Sequence, residues 1–143
     1  MKKRILALIL AVALIFALAS CGGSSEGTVT LVIGTETPTE FEVDVADVDA
    51  SKGLIGVLEY LKGEGKLDFG ITGTYLDYVG DIKNDAVAGT YIYIYTSVAA
   101  DADVSEYATT VEYGGKTLTS AGVGAYEMTL SDGAVIYIGT IVW

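Results

Sequence analysis

Asp49-Ala50-Ser51-Lys52-Gly53-Leu54-Ile55-Gly56-Val57-Leu58-Glu59-Tyr60-Leu61-Lys62-Gly63 decides the fold. Leu54, Ile55, Leu58 and Leu61 recur at spacings of three and four, which puts them on one apolar helical face. Asp49 or Ser51 can accept the first free amides of a helix, and Gly63 and Gly65 can end it, so a helix is predicted over about 52–62. Gly53 and Gly56 each lower intrinsic helix propensity by about 1 kcal/mol relative to Ala. Packing of the apolar stripe on a sheet is expected to override that cost.

On the N-terminal side, β-branched residues fill Thr28 to Ile33, a turn follows around Gly34 to Thr39, and Phe41 to Val45 alternates again. This predicts a β-hairpin whose second strand turns Phe41, Val43 and Val45 to one face and Glu42 and Asp44 to the other. On the C-terminal side, Phe69 to Ile82 and Thr90 to Thr96 read as strands expected to pair with each other. Val98 to Glu106 reads as a loop, Tyr107–Tyr113 and Lys116–Thr119 as short strands about a Gly114-Gly115 turn, and Tyr126–Leu130 with Ala134–Ile141 as a closing hairpin about Ser131-Asp132-Gly133. Hairpin, helix, then further strands is an α+β order, β-grasp-like, with one mostly antiparallel sheet packed on one helix. An immunoglobulin-like sandwich accommodates such a helix poorly.

The N-terminus carries a different message. Met1-Lys2-Lys3-Arg4 is a short basic segment, and Ile5 to Ala17 is an apolar run too short for a permanent bilayer span. Leu18-Ala19-Ser20-Cys21 follows and resembles the lipobox of bacterial lipoproteins. That resemblance implies diacylglycerol on the Cys21 thiol and cleavage between Ser20 and Cys21. The expected organisation is a signal peptide over 1–20, a flexible tether over 21–27 and one domain over 28–143. The expected location is extracytoplasmic, on the outer face of the cell membrane, with the membrane as partner through the lipid.

Three of the eight basic residues lie within 1–20, so five lysines face 19 acids in the rest, a formal charge of −14. Nucleic-acid binding, which rests on cationic contacts, is excluded on that count. The chain from Cys21 onward has no Arg, no His and no Gln, and Asn84 is its one Asn. Without imidazole or a free thiol there is no Ser-His or Cys-His nucleophile system and no histidine metal ligand. No enzyme activity, catalytic residue, metal site or cofactor is expected.

The mature chain resembles the transcobalamin-like C-terminal domain, a domain of unknown function found in lipoproteins. The likeness rests on Gly53-Leu54-Ile55-Gly56-Val57-Leu58, on Gly89-Thr90-Tyr91-Ile92-Tyr93-Ile94-Tyr95 and on Leu130-Ser131-Asp132-Gly133. The sequence departs from the family where Thr96-Ser97 follows Tyr95 and where Ala134 replaces an acid. The resemblance implies a soluble-ligand-binding β-grasp module, and the expected ligand is a small molecule, corrinoid-like, or a glycan. No corrin-contact residue carries over.

Tyr91, Tyr93 and Tyr95 share one strand face, opposite Ile92 and Ile94, and make a candidate ligand platform that Tyr75 and Tyr78 could extend. Tyrosine is also an ordinary strand residue, so packing beneath a loop is the competing reading. Asp44, Asp47 and Asp49, and separately Asp101, Asp103 and Glu106, form acidic clusters; neither completes a calcium loop, and solvated acids explain them more simply. The expected function is a lipid-anchored binding module for a soluble ligand, and the alternative is a structural or adhesive cell-surface protein-interaction domain.

Overall fold

The computed structural model describes residues 26–143; the signal segment, Ser20 and Cys21 lie outside the described residues. Among the described residues nine strands and one α-helix form an α+β domain: β1 (Thr28–Ile33), β2 (Thr39–Asp44), α1 (Leu54–Gly63), β3 (Phe69–Thr72), β4 (Tyr75–Val79), β5 (Ile82–Lys83), β6 (Thr90–Thr96), β7 (Thr110–Tyr113), β8 (Lys116–Ser120) and β9 (Val135–Val142). Six strands form a mixed sheet in the order β2-β1-β9-β6-β8-β7, and β3-β4-β5 form a second sheet. The expectation of a single sheet is therefore corrected to two.

The N-terminal hairpin forms as expected, with Val29 opposite Val43 and Leu31 opposite Phe41. On its other side β1 runs parallel to β9, which pairs antiparallel with β6. The expected pairing of Phe69–Ile82 with Thr90–Thr96 does not occur. The Gly80-Asp81 turn instead folds β4 back on β5, and β9 takes the long edge of β6. The expected closing hairpin is absent too. Ala125–Glu127 is a 3₁₀ turn and Met128 points into the core, so the Ser131-Asp132-Gly133 turn leads into β9 without a strand before it. Gly27 is already part of the fold: its carbonyl accepts from Val45 N–H at 2.8 Å.

One face of the large sheet carries Leu31, Ile33, Ile136 and Ile138, which join Leu54, Ile55, Leu58 and Leu61 of α1 and Phe69, Leu76 and Val79 of the small sheet in the main core. The helix begins differently from the expectation. Asp49 caps a separate 3₁₀ turn at Ala50–Lys52, and Gly53 (φ 54°, ψ −133°) then redirects the chain into α1. That backbone geometry belongs almost wholly to glycine, and a Cβ there would also press on the Ala125 and Met128 carbonyls. Gly56 has a different reason: its bare Cα lies against the Asp49 carbonyl, where a Cβ would collide.

The opposite face of the sheet is covered as well. β8 pairs with β6 only through Tyr95 and Thr96, and the β7–β8 hairpin then folds back across the sheet. Leu118 is buried against Val32, Tyr95 and Val135, and Tyr113 of β7 reaches across to donate its hydroxyl to Glu40 of β2 at 2.8 Å. That carboxylate raises the Tyr113 pKa above its ordinary value, with burial adding to the effect.

Candidate functional site

The covering hairpin corrects the tyrosine platform. Tyr95 is only 8% exposed, packed edge-on between Tyr93 (5.5 Å between ring centroids) and Tyr137 (6.1 Å), with Tyr113 beyond. Tyr93 joins this second core, and Tyr91, at the strand's far end, stays 38% exposed. Ile92 and Ile94 face the main core, as the alternation predicts. Tyr78 donates its hydroxyl to Asp68, which also pairs with Lys62 at 2.6 Å. The hydrogen bonds from Lys62 and then Tyr78 hold the Asp68 pKa below its ordinary value, and the hydrogen bond to Asp68 raises that of Tyr78. Tyr78 is thus committed to a surface network.

What the fold leaves open is a groove of about 900 Å³ where the two sheets meet. Ile92 and Ile94 lie along it, Leu76 and Asn84 line the small-sheet side, and Ala121 to Glu127 form the other wall. Tyr75, 79% exposed, and Trp143, 77% exposed, stand at its rim, while Tyr126 sits partly buried in the wall. Of the five candidate tyrosines, Tyr75, Tyr91 and Tyr93 border the groove, and Tyr78 and Tyr95 do not. Mostly apolar walls with a few polar groups suit an organic ligand.

Asn84 organises this junction. Its Nδ2 donates to the Leu76 carbonyl at 2.7 Å and its Oδ1 accepts from Ile92 N–H at 2.7 Å, so one amide ties β4 to β6. The amide carries its donor and its acceptor on separate atoms of one short side chain, and the chain from Cys21 onward has this one. Asn84, Tyr126 and Trp143 were missed in the sequence because no periodicity marks them; the uniqueness of Asn84 was the available signal.

The acidic clusters do other work. Asp101 is 4% exposed, not solvated, and accepts from Thr129 N–H at 2.6 Å and Thr129 Oγ1–H at 2.9 Å. Asp49 accepts from the Ser51 hydroxyl and amide, which lowers its pKa, the hydroxyl bond most. Asp103 similarly accepts from Ser105. Among the described residues no three His, Cys, Asp or Glu side chains gather to hold a metal ion.

No protein-family model matches this chain, and no curated protein matches it. Among solved structures, it is similar to a protein from Ruminococcus gnavus ATCC 29149, provisionally named as metal binding. The two share 20% identity, with a TM-score of 0.52 over 82% of this chain and 99% of the other. That likeness shows the fold.

Proposed function

We propose that this chain is a lipid-anchored, non-enzymatic, extracytoplasmic binding module whose soluble organic ligand sits in the groove between the two sheets. The groove itself carries the reading: an apolar floor of Ile92 and Ile94, aromatic rims at Tyr75 and Trp143, and a bridging amide, Asn84, that ties its two sides together. A β-grasp assignment is part of the same proposal. The first hairpin, the helix, and a last strand inserted parallel beside the first, in the sheet order β2-β1-β9-β6-β8-β7, support it. Membership in the transcobalamin-like family and anchoring through Cys21 belong to the same proposal, supported by the motifs at 18–21, 53–58, 89–95 and 130–133. The neighbour named for metal binding does not redirect it, since the groove lining has one carboxylate side chain, Glu127, and no His or Cys.

Trp143 is the one tryptophan and stands at the rim, so its emission reports occupancy directly. Cyanocobalamin, 4-nitrophenyl β-glucoside and a short apolar peptide are the probes for corrinoid, glycan and peptide ligands. A true ligand perturbs Trp143 emission saturably and binds Tyr75→Ala about tenfold more weakly, the scale of one lost aromatic contact. Tyr75 is exposed, so its truncation leaves the fold intact. Unchanged binding by Tyr75→Ala, or binding that protects only residues of the outer face, rejects the groove.

A further inference from the structure

The β6 edge that borders the groove is unfinished. On one side β9 pairs with β6 along its whole length, from Thr90–Val142 to Thr96–Ile136. On the other, β8 reaches only Tyr95 and Thr96, and a single bridge joins Thr90 to Asp85. Between them, Ile92 N–H is taken by the Asn84 side chain rather than by a strand. The Ile94 carbonyl accepts from Ala121 N–H at 2.8 Å, which shows that Ile94 directs its main-chain groups away from β9. The reciprocal bond, from Ile94 N–H to the Ala121 carbonyl, is not made. Beyond Ala121 the chain leaves the sheet through Gly122 to the 3₁₀ turn at Ala125–Glu127, and the groove opens there.

A main-chain donor left open on a strand edge is the feature that extended peptides use when they add to a sheet. The side-chain chemistry beside it is apolar, from Ile94, Ala121 and Val123, and the one ionisable side chain of the lining besides tyrosine is Glu127, with no lysine there. The domain's formal charge of −14 points the same way. We infer that the groove takes a short extended peptide, apolar at its centre and basic at its flank, whose backbone carbonyl accepts Ile94 N–H alongside β6. This rests on the groove being the binding site, and it names the ligand class.

The test uses the ¹⁵N-labelled domain with acetyl-Lys-Val-Ile-Val-Lys-amide, an analogue of the same peptide in which (E)-alkenes replace the amides bearing its three central carbonyls, and 4-nitrophenyl β-glucoside as a non-peptide probe. The expected result is saturable binding with a downfield shift of the Ile94 amide proton and exchange slowed about tenfold. The alkene analogue, which lacks the accepting carbonyls, binds about tenfold more weakly, the scale of one hydrogen bond lost with its donor left unpaired. Glu127→Gln, which keeps the acceptor for Gly124 N–H, weakens the peptide and flattens its salt dependence. Peptide binding with Ile94 unmoved, or equal binding of the alkene analogue, overturns the strand-edge inference and leaves the groove standing. Groove shifts with the glucoside alone overturn the peptide class. If neither probe at millimolar concentration shifts Ile92, Ile94 or Trp143, the groove reading falls as well.

Discussion

Replacing Gly56 with Ala should destabilise the domain, although helix propensity alone predicts the opposite. In a helix interior the exchange favours folding by about 1 kcal/mol. Here the added Cβ would collide with the Asp49 carbonyl, which already accepts Lys52 N–H at 3.0 Å. To relieve the collision, α1 must move off the preceding 3₁₀ turn or the turn must open. Overpacking of this kind costs about 1–3 kcal/mol, and a weakened hydrogen bond adds about 1. After the propensity gain, the net loss is about 2 kcal/mol. At about 2.1 cal/mol/K of unfolding entropy per residue, over roughly 120 residues, that lowers Tm by roughly 8 °C. Gly63→Ala is the internal control, because no atom lies within 4 Å of its added methyl, and a gain of up to about 1 kcal/mol is expected. Differential scanning calorimetry on both variants decides the matter. A Gly56→Ala variant that melts above wild type, like the control, refutes the close approach of helix and turn.

Asp101→Ala should cost about 3 kcal/mol in urea unfolding, since it strands the Thr129 amide and hydroxyl, whereas Thr129→Val should cost about 1 kcal/mol; additive losses in the double variant would show the latch is not a unit. Asp68, with its pKa held below the ordinary 3.8, contributes stability present above about pH 4 and lost as pH falls through its folded value. Lys62, raised above 10.5, contributes stability lost only as pH rises past that value, so their pair is constant through neutrality. The urea midpoints of wild type and Asp68→Asn should therefore differ at pH 7 and converge as pH falls through the folded pKa of Asp68, and curves that stay parallel contradict the pairing. Under the proposed lipid anchor, Cys21→Ala releases the folded domain into the medium; fractionation that still finds it on the membrane rejects the anchor.

The elements whose signals are local were legible: the first hairpin from its alternation, α1 from Leu54, Ile55, Leu58 and Leu61, and β6 from Thr90 to Thr96. Pairings were less so, because alternation places a strand's faces without naming its neighbour. Phe69 to Val79 carries strand chemistry that serves equally in either sheet, and only the Gly80-Asp81 turn commits it to its own. The tyrosine face failed for a related reason. That Tyr95 shares a side with Tyr91 follows from period two, but that Leu118 covers it depends on a hairpin folding back from a two-residue junction, a long-range event. Gly53 and Gly56 read as defects in a helix, and the fold shows them as the points where the helix meets its neighbours.

The parallel alignment of β1 with β9 has a mechanical consequence. Thr30 to Ile33 run beside Val135 to Ile138 in the same direction, so the leading end of β1 and the trailing end of β9 lie at opposite edges of the ladder. Tension applied between those ends loads all the hydrogen bonds of the pair in shear at once, whereas pulling apart the antiparallel β1–β2 hairpin at its open end breaks them one by one. A domain tethered at one terminus and tugged at the other would yield at a rate set by its unfolding barrier, and this arrangement makes that barrier high along the direction of pull.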